Sequence, residues 1–245
     1  MEYIKRDIDL LVLEVSKSYS AVIITGPRQV GKTTTLRRLL GEGRRFVSLD
    51  NKENRQLAQT DPELFLSINP APVIIDEVQY APELFPYIKM EIDNGASPGS
   101  YLMTGSQMYQ LMKLAGESLA GRAAILRMSG LSQHEIYGNG SCLPFTLSLD
   151  ALQKRAAFGN PTDILGQFER IWNGSLPAHI SEKHGNRDVF YNSYIDAYID
   201  RDIREMVDLK DEYLFRDFVR GAVICTRKEL SALDKGTMIV PVWVI

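Results

Sequence analysis

Gly26-Pro27-Arg28-Gln29-Val30-Gly31-Lys32-Thr33 has the residue types and spacing needed to hold a chain of phosphates. It fits the pattern Gly, four residues, Gly-Lys-Thr without a mismatch. Gly26 and Gly31 let the backbone curl so that successive N–H groups point inward at an anion. A helix starting where the loop ends adds its positive dipole end to the same place. Lys32 supplies a cation that can bridge the outer phosphates, and the Thr33 hydroxyl can ligate Mg²⁺. With Thr34 included, residues 26–34 form the expected cofactor-binding stretch, and ATP with Mg²⁺ is the expected cofactor pair.

Three further groups could complete such a site. Ile74-Ile75-Asp76-Glu77 is an apolar run ending in two carboxylates. Asp76 is placed to hold a water of the Mg²⁺ shell, which makes Thr33 and Asp76 the expected metal-side residues. Glu77 is placed to act as base or orienting group for an attacking water. The competing reading is a solvated acidic strand end. Thr104-Gly105-Ser106-Gln107 closes another apolar run. Ser106, or else Thr104 or Gln107, could sense the γ-phosphate or hold that water, against the plainer reading of a hydroxyl-rich turn. Arg122 follows a glycine and could project its guanidinium toward a neighbouring subunit's γ-phosphate. An ordinary surface charge explains it equally well.

These side chains need a scaffold, and the hydrophobic pattern supplies one. Short apolar runs at Ala21–Ile24, Arg45–Leu49, Pro72–Glu77, Tyr101–Thr104 and Ala123–Met128 read as strands. Helical segments are expected between them: Thr34–Leu40, Asn51–Ile68, Glu83–Asp93 and Leu111–Leu119. Ile4, Ile8, Leu11 and Val15 recur at helical spacing ahead of the first strand. Strands that are apolar on both sides and alternate with helices predict an α/β fold, a parallel sheet covered on both faces. The pattern changes near Tyr137, where short helical pieces and prolines take over. The expected organisation is an ATPase core over 1–137, a helical linker or lid over 138–215 and a further piece over 216–245.

The chain has 245 residues, 44% of them hydrophobic and 24% charged, an ordinary globular balance. A net charge of −3 excludes a surface that is basic all over, though not a local basic patch. Cys142 and Cys225 stand far apart, and His134, His179 and His184 lack a metal-ligand spacing. No apolar run reaches membrane-spanning length, so a cytoplasmic protein without a membrane partner is expected. The pairs Arg37-Arg38 and Arg44-Arg45 read as solvated charge. His134-Glu135 reads as a polar helix start.

Four motifs together resemble a specific group: Gly26–Thr34, Ile74–Gln79, Leu102–Gln107 and Ser118–Arg122. They are similar to bacterial and archaeal AAA-type P-loop ATPases of unknown function, in which the ATPase core precedes a helical linker and a restriction-endonuclease-like domain. Tyr194–Ile203 is similar to that group's linker helix. The resemblance implies a core sheet in the order 5-1-4-3-2, with Lys32, Thr33, Asp76, Glu77 and Ser106 in the roles given above. It also implies a possible homo-oligomer and a possible DNA or protein client. The stretch after Asp217 departs from the group and looks like its usual ending with most of the intervening domain missing. Two other functions compete with an ATPase, namely a nucleotide-binding switch with little turnover and a small-molecule kinase. The Asp76-Glu77 pair suits water activation better than a kinase.

Overall fold

The computed structural model describes residues 3–106, 118–138, 148–157, 161–182, 186–199, 231–232 and 238–239. The chain divides into two compact units, Met1–Gly159 and Asn160–Ile245. In the first, β1 (Ala21–Thr25), β2 (Arg45–Ser48), β3 (Val73–Asp76), β4 (Tyr101–Gly105) and β5 (Ala123–Arg127) form one sheet. Its order is β2-β3-β4-β1-β5, which is 5-1-4-3-2 from the other edge, and every pairing is parallel. The expected fold class and strand order are therefore present.

The sheet forms here because its inner strands have few polar side chains to keep wet. All five residues of β1 and all five of β4 are buried. Helices α1 (Asp9–Val15), α2 (Lys32–Leu40), α3 (Lys52–Thr60), α4 (Pro62–Ile68) and α5 (Leu84–Asp93) connect and cover the strands. The core gathers Ile23, Ile75 and Met103 from the sheet with Phe65, Phe85 and Ile88 from the helices. Fully burying side chains of this size contributes roughly 1.5–3 kcal/mol each.

Three expectations need correction. Asn51–Ile68 is two helices: Asn51 caps α3, then Asp61 accepts the Leu64 N–H and Pro62 starts α4. A proline lacks an N–H and is disfavoured inside a helix, but it suits a first turn. Helix α1 turns Asp9 and Val12 inward and leaves Leu11 44% exposed, so its buried face is not the predicted one. Of the basic pairs, Arg37 lies over the Phe46 ring at 4.7 Å, and Arg44 donates to the Gly99 carbonyl. Arg44 is half-buried and holds structure, whereas Arg37, Arg38 and Arg45 are exposed as expected.

After β5 the chain forms α6 (Gln133–Ile136) and α7 (Leu149–Ala157). The second unit contains α8 (Ile164–Asn173), α9 (Pro177–Glu182) and α10 (Arg187–Tyr198), plus a short antiparallel pair, β6 (Ser231–Ala232) with β7 (Met238–Ile239). Within it, the Arg187 guanidinium lies 3.9 Å from the Trp172 ring centre, and the Tyr191 hydroxyl donates to the Asn173 carbonyl. Of the predicted segments, residues 111–117, the end of the linker helix from 200 on, and most of 216–245 lie outside the described residues.

Candidate functional site

The loop between β1 and α2 opens where β1 ends, and its backbone needs its glycines. Gly26 has φ +150°, and a Cβ there would come within 2.0 Å of the Met128 carbonyl oxygen just past β5. Gly31, at φ +97°, is the residue before α2. Gln29 takes a left-handed φ of +61° without being glycine. Such a residue costs on the order of 1–3 kcal/mol, held here by its surroundings. Lys32 begins α2 and is only 6% exposed. Its ammonium donates to the carbonyls of Gly26 and Pro27, at 3.0 and 2.8 Å. Lysine and the α2 N-terminus thus lie against one concave turn of backbone. Thr34 faces outward and is exposed.

Asp76, the last residue of β3, is gripped by hydroxyls. Thr33 Oγ1 donates to its Oδ1 at 2.5 Å, Thr104 Oγ1 donates to the same oxygen, and Ser48 Oγ donates to Oδ2 at 3.3 Å. The donors come from α2, β4 and β2, so the carboxylate is where three elements meet the loop. The arrangement fits a hard cation. Mg²⁺ takes oxygen ligands, keeps several waters, and is commonly held by one or two protein oxygens plus substrate phosphates. Thr33 and Asp76 could supply those oxygens. Among the described residues there is no group of three or more His, Cys, Asp or Glu that could cage a metal without a substrate.

Glu77 follows with a left-handed φ of +56°, which turns the chain sharply at the strand end. Its N–H points to Thr104 Oγ1 at 3.4 Å. Its Oε2 accepts from Ser106 Oγ at 3.1 Å and from the Gln79 amide at 2.5 Å. Of the predicted set, Thr33, Asp76, Glu77 and Ser106 are therefore linked through Thr104 at the carboxyl ends of the strands, with Lys32 beside Thr33 at the start of α2. Arg122 stands outside it. Its guanidinium makes a two-point contact with Asp93, at 2.5 and 3.2 Å, and both side chains are partly exposed. Gln107 lies outside the described residues.

The structure adds groups that the sequence reading did not single out. Gln79 is 3% exposed and sits in the short turn Val78–Tyr80. Arg6, 5% exposed, donates to Glu135 at 3.0 Å, to the Val30 carbonyl of the loop at 2.7 Å, and to the carbonyls of Ser129 and Gly130. Glu135 closes a capping box with Ser132 at the start of α6 and also accepts the Asp7 N–H. The Tyr3 hydroxyl donates to Asp9 and meets Thr35 of α2, and burial pushes its pKa above the usual range. A cavity of about 500 Å³ lies beside this clamp, between residues 3–7 and 134–138. Only the Ser132-x-x-Glu135 spacing was visible as a signal, being a capping-box pattern. A buried arginine leaves no local trace.

Residues 18–137 match the model of the AAA domain family. At 30% identity over 189 residues, the chain is similar to "Uncharacterized protein Rv2008c" of Mycobacterium tuberculosis and "Uncharacterized protein Mb2031c" of Mycobacterium bovis. The match covers 76% of this chain but 36% of each relative, so the chain spans about a third of their length. Among solved structures, a Walker-type ATPase of Pyrococcus abyssi superposes with a TM-score of 0.50 at 16% identity, covering 89% of this chain and 77% of that one. The fold and the loop define the class: a P-loop nucleotide-binding fold whose residues 18–137 are similar to the AAA domain family.

Proposed function

We propose that this chain is an Mg²⁺-dependent ATPase that couples hydrolysis to a conformational change in its helical second unit. The observation that carries the reading is the continuous set of hydrogen bonds from Thr33 through Asp76 and Thr104 to Glu77 and Ser106, at the edge of the glycine loop. The loop N–H groups and the α2 N-terminus bind the phosphates. Lys32 exchanges its bonds to Gly26 and Pro27 for the outer phosphate oxygens. Thr33 and Asp76 hold Mg²⁺, which when bound neutralises charge on the phosphoryl oxygens. Glu77 accepts a proton from the attacking water or orients it, and Ser106 fixes the carboxylate. The cavity between residues 3–7 and 134–138 has the size of a small-ligand pocket and takes the nucleoside end.

In this reading Arg122 acts only in a homo-oligomer, after leaving Asp93 for a neighbour's γ-phosphate. The client, DNA or protein, acts through the second unit. A second reading, a nucleotide switch with little turnover, is favoured by one observation. Both the proposed base and the proposed finger are already engaged, Glu77 by Ser106 and Gln79, and Arg122 by Asp93. Phosphate release from ATP by the purified chain separates the two. The ATPase reading expects steady release that stops when Mg²⁺ is chelated and falls by at least ~100-fold in Glu77→Gln, with ATP still bound. Tight ATP binding without release, with or without DNA, would favour the switch.

A further inference from the structure

The glutamine two residues after Glu77 is buried, polar and aimed at the carboxylate. Gln79 Nε2 donates to Glu77 Oε2 at 2.5 Å and lies 3.3 Å from Ser106 Oγ, which itself donates to the same Oε2. The hydrogen bonds that described residues make to this carboxylate fall on that one oxygen. Because an ionised carboxylate only accepts, the NH₂ end of the amide has to face it, which fixes the amide's orientation. The other end of Gln79 is then stranded. Its Oε1 is buried and has no hydrogen-bond partner among the described residues. A desolvated carbonyl without a donor is costly, and a leucine or methionine of similar volume would avoid that cost. Val78 and Ala81, close by in the chain, are fully buried apolar residues. What a methionine could not do is hold Glu77.

We propose that Gln79 is a positioning residue for Glu77. Its amide and the Ser106 hydroxyl pin Oε2, so that Oε1 is the oxygen presented to the attacking water. The left-handed backbone at Glu77 cooperates, because it folds the chain back so that residues 77 and 79 meet side by side. The inference rests on the reading of Glu77 as the group that activates water.

The test uses the full chain and four variants: Gln79→Met, Gln79→Asn, Glu77→Gln, and Gln79→Met combined with Glu77→Gln. Single-turnover hydrolysis of labelled ATP and the Kd for a fluorescent ATP analogue are measured for each. Gln79→Met lowers the hydrolysis rate on the order of 10- to 100-fold, with Kd changed by less than about twofold. In the Glu77→Gln background it has no further effect, since there is no base left to position. Gln79→Asn keeps the amide but retracts it by one methylene, and it repeats the loss should the methionine variant not fold. A parental rate in both glutamine variants overturns the proposal, as does an equal loss in both backgrounds. A parental rate in Glu77→Gln instead removes the base itself, and the proposal falls with it. One readout needs no turnover. The Gln79 side-chain amide resonances of the nucleotide-free protein, identified by their loss in Gln79→Met or their replacement in Gln79→Asn, shift in Glu77→Ala; resonances that stay in place contradict the contact.

Discussion

Gly26, Lys32, Thr33, Asp76 and Glu77 could be named from the sequence because each is a chemical type that the phosphate site requires at a set spacing. The loop states its own geometry, since glycines mark where the backbone must turn or approach another chain segment. Gly26 does both: a methyl group there would overlap the Met128 carbonyl. Gly26→Ala is therefore expected to push the loop off β5, weakening ATP binding by at least tenfold and lowering the thermal midpoint. An unchanged Kd would mean that the loop's path is set elsewhere. Two residues that escaped notice, Ser48 and Arg6, share one property. Their roles depend on partners brought from other elements, as with Ser48 of β2 reaching Asp76 of β3. Sequence spacing carries no sign of such a meeting.

Among the elements, the sheet was readable for a physical reason: parallel strands covered on both faces have to be apolar throughout, and β1 and β4 are. Elements set by hydrogen bonds were harder to read. Helix α1 is rotated away from its apparent apolar face because Asp9 accepts from the Arg6 N–H and from the Tyr3 hydroxyl, which pulls the polar edge inward. The same N-terminal segment delivers Arg6 to Glu135 and to the glycine loop. Removing one partner of a buried ion pair leaves the other charge desolvated, typically costing about 3–5 kcal/mol. Glu135→Gln should thus lower the unfolding free energy in urea by roughly that amount and loosen the loop, seen as weaker nucleotide binding. A loss below about 1 kcal/mol would show that water reaches Arg6 readily. The Arg122–Asp93 pair is different, because both groups are exposed. Arg122 hydrogen-bonding holds the Asp93 carboxyl below its usual pKa. Any stability it adds is present above the usual aspartate pKa and disappears as pH falls through the lowered value. Arg122→Ala should leave the neutral-pH midpoint nearly unchanged, with the small difference gone in strong acid; a large midpoint drop at neutral pH would make the pair structural.

On the scale of the whole molecule, a P-loop domain similar to the AAA family is followed by a helical unit whose client is a proposal, and the matched part of the chain spans about a third of its curated relatives. Whether Arg122 works across subunits can be read from mixtures. Lys32→Ala chains lack the phosphate-binding cation but keep Arg122, whereas Arg122→Ala chains have the reverse. If the finger acts in trans, mixing two inactive variants restores part of the turnover; no recovery in a mixture shown to co-assemble would confine Arg122 to its pair with Asp93. The central claim is simpler and comes before assembly, client and turnover, namely that residues 26–33 hold the phosphates of a nucleotide. Equilibrium titration of ATP into the purified chain and into Lys32→Ala, with Mg²⁺ present and the melting curve of each recorded, tests it most directly. Saturable one-site binding by the parent is expected, with at least a tenfold weaker Kd in a Lys32→Ala protein that still melts cooperatively. Equal affinity in the two proteins would contradict it.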